Sequence, residues 1–115
     1  MKTCIFIPDS CGVNFAFLIL DRLKHGETRK TTVHLPTGKW LGIARNGMVV
    51  GEIVLGKPII ISNKSAEYAD SFIKGTKYDI SDGETKYYYP ILDIVDLRMT
   101  PKPYEKRNQT YGRYE

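Results

Sequence analysis

The chain has 115 residues, 42% of them hydrophobic and 26% charged, and a net charge of +4. That length supports a single domain, residues 1–115, with its own core, and is too short for two ordinary ones. No run is apolar for long enough to cross a bilayer as a helix, so the composition is that of a soluble protein and no membrane partner is expected.

Taken in chain order, the first element is TCIFI at residues 3–7, a short apolar run stopped by Pro8 and read as a buried strand. Lys2 followed by apolar residues has the beginnings of a secretion signal. However, Pro8, Asp9 and Ser10 split the run, and VNFAFLIL passes into DRLKHG with no small-residue cleavage pattern, so a cytoplasmic protein is expected. Asp9 or Ser10 can cap a helix, and Val13, Ala16, Phe17, Leu20 and Leu23 keep helical spacing as far as Gly26. Phe15, Leu18 and Ile19 widen the apolar stripe. Arg22, Lys24 and His25 would then sit at the carboxyl end of that helix, where cations interact favourably with its dipole.

From residue 30 the pattern becomes β. KTTVHL, KWLGIAR and MVVGEIVL are rich in β-branched residues and are separated by Pro36-Thr37-Gly38 and by Asn46-Gly47, the latter a strong hairpin signal. Lys57-Pro58 marks IIIS as an edge segment or bend, because proline cannot donate to a sheet ladder. SAEYADSFIKG, residues 65–75, predicts a second short helix ended by Gly75. After Asp82-Gly83 comes a long strand in which Tyr87, Tyr89, Ile91 and Asp93 share a face. The order predicts an α+β domain: a small, mostly antiparallel sheet curled into a barrel, packed by one main helix and a second short one.

The charge is localised. Residues 21–34 hold four cations against two acids, and residues 101–115 again hold four against two, so these two segments account for the whole excess. Brought together they would form one basic surface suited to phosphates. The C-terminal segment, PKPYEKRNQTYGRYE, interleaves Tyr104, Tyr111 and Tyr114 with Lys106, Arg107 and Arg113. Aromatic rings stack on unpaired bases and cations contact the phosphates, a combination suited to RNA. Tyr104 is equally suited to packing back on the sheet. Lys24, Arg29, Lys30, Trp40 and Arg45 complete the expected nucleic-acid-binding set, with Tyr87 and Tyr88 as further stacking groups.

Cys4 and Cys11 have six residues between them and no further thiol or nearby histidine at ligand spacing, so they read as reduced thiols and no metal site is expected. No cofactor is expected either. His25 and His34 flank the basic loop; imidazoles can act as an acid and base pair, but a helix-end histidine and an outward-facing strand histidine explain them more simply.

Several stretches together, LKHGETRKTTVH, GKWLGIA, VVGEIVL and YYYPILDIVDLRMTPKPYEKRNQTYG, resemble the ASCH domain of the PUA-like superfamily. In that family the last strand leads into a Pro-x-Pro segment and then a glycine and an aromatic residue, here Pro101, Pro103, Gly112 and Tyr114. The resemblance implies a β-barrel with a helix against one opening and a cleft between them that binds RNA or a nucleotide. Some ASCH proteins remove the acetyl group from acetylated cytidine, using a lysine and a threonine just after the helix and a later glutamate. If two residues are inserted after Gly26, Lys30 and Thr31 take the first two places, with Glu67 as the acid; without the insertion the lysine position falls on Thr28. On elementary chemistry Lys30 would hold an oxyanion, Thr31 or Thr32 would supply a hydroxyl, and Glu52 or Glu67 would accept a proton. The first expectation is an RNA- or nucleotide-binding module, and the second a hydrolase of a modified nucleoside or RNA. A third is a protein-interaction factor of the kind small phages and mobile elements carry, since tyrosine-rich surfaces also suit protein partners.

Overall fold

The computed structural model describes all residues, 1–115. Strand β1 (Lys2–Phe6) is followed by a tight turn at Cys11-Gly12, where both residues have positive φ (52° and 78°). Helix α1 (Phe15–Leu20) is capped by Asn14, whose side-chain oxygen accepts from the Phe17 amide at 3.0 Å, so neither Asp9 nor Ser10 is the cap.

The helix is shorter than its apolar spacing predicts. Arg22 adopts φ of +61°, its amide donates to the Ile19 carbonyl (3.0 Å), and the Leu23 amide donates to that of Leu18 (2.9 Å). This pair of bonds is the Schellman closure that satisfies the last helical carbonyls, with arginine at the left-handed position that glycine usually fills. The early stop swings Lys24 inward instead of leaving it on an exposed last turn.

Gly26 therefore does not end the helix but opens strand β2 (Gly26–Arg29). A Cβ there would lie 2.1 Å from Tyr88 Cζ, so the close approach of strand and ring admits only glycine without rearrangement. The expected strand at residues 30–35 is absent: the Val33 amide donates to the Lys30 carbonyl in a turn, and the Tyr89 hydroxyl holds the loop by donating to Val33 and accepting from the Leu35 amide. Tertiary anchoring here overrides the β propensity of the threonines.

Strands β3 (Trp40–Arg45) and β4 (Met48–Leu55) form the expected hairpin, with φ of 51° at Asn46 and 84° at Gly47, the signs a type I′ turn requires. Strand β5 (Ile59–Ile61) pairs only with β6 (Lys86–Asp96), and α2 is a single turn, Glu67–Asp70. The β4–β6 register shifts between Val54 and Leu55, so that Leu55 pairs with Ile91 and Val54 with Asp93. Because of that bulge Tyr87, Tyr89, Ile91 and Asp93 do not share one face throughout: Ile91 and Ile94 pack on the core while Asp93 is exposed.

The C-terminal segment is part of the sheet. It supplies β7 (Lys102–Pro103), β8 (Glu105–Lys106) and β9 (Tyr111–Tyr114), and β9 pairs antiparallel with β1. The sheet runs β2-β6-β4-β3-β1-β9-β8, with β5 on β6 and β7 on β4; the β1–β3 pair is parallel and the rest antiparallel. Its hydrogen-bonded order is open, ending at β2 and β8, and so departs from the closed barrel that the sequence predicts. The fold is mostly sheet with two short helices. A main core gathers α1, the inner faces of β3 and β4, and Tyr88 and Tyr89, and a smaller one joins Cys4, Ala44, Val49 and Tyr114.

Candidate functional site

The Arg29 guanidinium reaches from β2 to donate to the Phe6 carbonyl of β1 at 3.0 Å. A cleft of about 660 Å³ opens here, a size within the range that holds small organic ligands. Its walls come from the end of β1 (Phe6, Ile7, Pro8), Phe15 of α1, Lys24, residues 27–30 of β2 and its end, Val33, Ile73, Lys77, Tyr78, Lys86, and Gln109 and Thr110 on the β8–β9 turn. Each of the two basic sequence segments thus contributes to one cavity, although the second contributes only these two uncharged residues.

The deepest polar group is Lys24, 1% exposed. Its ammonium donates to the Ser71 carbonyl at 2.6 Å, lies 3.7 Å from Glu27 Oε1 and stands 5.2 Å from the centre of the Phe15 ring. Burial holds its pKa below the ordinary lysine value; Glu27 opposes that shift and Arg29 adds to it. Glu27, itself buried, accepts from Arg29 Nη2 at 2.8 Å and from Nε at 3.2 Å. The strand alternation of β2 puts Glu27 and Arg29 on one side, and the early end of α1 brings Lys24 to meet them.

Away from this cluster the cleft passes Tyr78, whose ring makes an edge contact with Phe15. The Lys77 and Lys86 ammoniums each lie 5.9 Å from the centre of the Tyr78 ring. Lys86 donates to the Tyr78 carbonyl at 2.6 Å, and burial lowers its pKa, with Glu84 opposing and Lys30 adding to the shift. The cleft lining therefore holds five cationic side chains, Lys24, Arg29, Lys30, Lys77 and Lys86, against one carboxylate, Glu27.

Of the expected binding residues, Lys24, Arg29 and Lys30 line the cleft. Tyr104 and Lys106 pack on Phe6, a wall residue, at 5.3 and 6.0 Å. Arg107 pairs with Glu105 at 3.7 Å, and Arg113 lies over the Tyr111 ring at 5.9 Å. Trp40 is half-exposed at the start of β3, and Arg45 is held by two 2.8 Å bonds to Asp9; neither lines the cleft.

Of the expected catalytic residues, Lys30 lines the cleft, whereas Thr31 is exposed in the turn after β2 and Glu67 lies on α2, both outside the lining. Glu67 and Asp70 instead add to the burial that pushes the Tyr88 hydroxyl up to about 12. His25 hydrogen-bonds the Arg22 carbonyl, and His34 packs on Tyr87; the two do not meet in the cleft. Glu52 receives hydrogen bonds from Tyr114 and, at 3.2 Å, from Lys2, and is likewise not in the cleft.

The residues that sequence reasoning missed are Glu27, Lys77, Tyr78, Lys86 and Gln109. Opposite charges two apart in the strand-forming stretch GETR are a signal for Glu27 with Arg29. Nothing local marks the others. Comparison with protein-family models, with curated proteins and with solved structures finds no match to this chain.

Proposed function

We propose that this domain binds RNA or a nucleotide in the cleft between β1, the end of α1 and β2. The observation that carries the reading is the cleft lining: five cations against one carboxylate, with Phe6, Phe15 and Tyr78 among the walls. Phosphates are bound by lysine and arginine, and aromatic and apolar walls accept a base. On this reading the sheet is an incompletely closed PUA-like barrel of ASCH type, and its seam is the binding site. No helix is long and apolar enough to cross a membrane.

The test is an anisotropy titration with labelled single-stranded RNA at low and moderate salt, on the wild type and on Lys30→Ala combined with Lys86→Ala, both in the cleft lining. Salt-sensitive binding that weakens in the variant, with unchanged circular dichroism, supports the reading, because released counterions make phosphate contacts steeply salt-dependent. Unchanged affinity in the variant counts against it. Salt-insensitive capture of a protein would instead favour an interaction factor.

A second reading, hydrolysis of a modified nucleoside, draws on Lys24 and Glu27, with 3.7 Å between the ammonium and the carboxylate, both of which line the cleft. A buried ammonium can stabilise an oxyanion and a carboxylate can move a proton. Release of acetate from acetylated cytidine by the wild type, lost in Glu27→Gln, would establish it; intact substrate would remove it.

A further inference from the structure

The cations of the cleft are not equivalent. At the inner end Arg29 is committed to Glu27 and to the Phe6 carbonyl, and Lys24 to the Ser71 carbonyl and Glu27. A phosphate placed there would compete with those bonds and face the Glu27 carboxylate, a like charge at close range. At the outer end, around Tyr78, Lys30 and Lys77 form no ion pair or side-chain hydrogen bond, and Lys86 has only the Tyr78 carbonyl as a hydrogen-bond acceptor. Glu84, Asp79 and, more weakly, Glu27 are the acids whose charge is felt at Lys86. Asp79 is occupied by the Tyr68 hydroxyl and the Gly75 and Ile80 amides, and Glu84 by the Ser81 amide; neither lines the cleft.

We propose, resting on the nucleotide reading above, that the Tyr78 end is a phosphate subsite built by Lys30, Lys77 and Lys86, so that the ligand lies with its phosphate there and its nucleoside toward Phe15 and the Lys24–Glu27 pair. Lys77 and Lys86 share the Tyr78 ring, and Lys30 lines the same cleft with its charge felt at Lys86; such a group of cations suits a terminal phosphate, which carries more charge than a phosphodiester. The inner end offers the edge of a buried carboxylate, a buried ammonium and the apolar surfaces of Ile7, Phe15 and Ile73, which suit a flat, heteroatom-bearing ring. The ligand class is a phosphorylated nucleoside, or the end of an RNA chain bearing a phosphate.

The experiment is calorimetric titration of the full chain with the four nucleoside 5′-monophosphates, the four matching nucleosides, and dinucleoside monophosphates, whose only phosphate is a diester. The wild type is compared with Lys77→Ala, Lys30→Ala and, as a control outside the cleft, Lys64→Ala. At least one monophosphate is expected to bind about tenfold more tightly than its nucleoside, the scale of one or two charge-assisted hydrogen bonds. Lys77→Ala and Lys30→Ala are each expected to remove about three- to tenfold of that advantage while leaving nucleoside affinity and Lys64→Ala unchanged. A monophosphate preferred over the diester supports the terminal-phosphate subsite; a diester that gains as much overturns the terminal-phosphate assignment and identifies the backbone of a chain instead.

Equal binding of nucleotide and nucleoside, or an advantage that survives both lysine substitutions, overturns the subsite and leaves the cleft reading standing. Failure of every probe, together with failure of single-stranded RNA to bind the wild type, overturns both.

Discussion

Glu27 on β2 and Glu52 on β4 each place a carboxylate at the margin of the packed sheet, with side chains only 9% and 13% exposed. Glu52 is closed off: it takes the Tyr114 hydroxyl and the Lys2 ammonium, and the ring of Tyr114 lies against Gly42 on the neighbouring strand. Glu27 is also paired, to Arg29 and Lys24, but its cluster forms the wall of a cavity. Burial of an acid therefore marks no function by itself. The Glu52 group fastens the C-terminal strand β9 to the sheet, whereas the Glu27 group leaves a buried ammonium facing a space that a ligand can enter.

The largest effect that separates them is expected from Glu27→Ala. It strands Lys24 in the core without its carboxylate, which costs about 3–5 kcal/mol, read as a lower urea midpoint. Lys24→Met should cost less, because Glu27 keeps Arg29 and a similar volume fills the site, so that only the Ser71 carbonyl loses its donor, while binding in the cleft is lost. The sign of its pH dependence follows from the lowered Lys24 pKa. Between that value and the unperturbed 10.5, the unfolded chain holds the extra proton, so wild-type stability gains as pH rises through this window. The stability of Lys24→Met measured against the wild type should therefore be highest near neutral pH and fall toward pH 10.5.

Next in size, Tyr114→Phe removes the hydroxyl from Glu52 and should cost about 1.5–3 kcal/mol, the range for hydrogen bonds to charged groups, with no change in RNA or nucleotide affinity. Burial pushes the Glu52 pKa up, but the bonds from Tyr114 and Lys2 outweigh it and hold the carboxyl below its usual 4.5. A depressed folded-state value gives stability that is present above pH 4.5 and lost as pH falls through the folded pKa. Acid unfolding curves of Tyr114→Phe should accordingly be flatter in this region than those of the wild type. The smallest effect is expected from Arg45→Ala, which breaks a partly exposed pair with Asp9 worth about 0.2–1 kcal/mol. A larger loss of RNA affinity than of stability in that variant would extend the binding surface beyond the cleft.

How much of this was legible in the sequence depends on whether the signal was local. The Asn46-Gly47 hairpin and its two strands follow from turn chemistry and β-branched runs, and both appear where predicted. The end of α1 does not, because the left-handed residue that stops it is Arg22, which carries no glycine signal. With the helix ended there, strand β2 runs from Gly26 to Arg29 and Lys24 turns inward, while the anchoring of residues 33 and 35 by the distant Tyr89 hydroxyl removes the expected strand at 30–35. The chemistry of the C-terminal segment was visible, but its pairing with β1 was not, since β9 is more than a hundred residues from its partner. Lys24, Arg29 and Lys30 were legible as a basic group; the wall carrying Lys77, Tyr78 and Lys86 is assembled only by tertiary contacts.

The most direct test of the cleft as the binding site is amide chemical-shift mapping during titration with single-stranded RNA and with nucleoside monophosphates. Shifts are expected to concentrate at Lys24–Lys30, Ile73–Tyr78, Lys86 and Gln109–Thr110, with the Glu52–Tyr114 region silent. Shifts confined to the exposed Ile60 and Leu92 surface or to Trp40, or no shifts at saturating ligand, would contradict it.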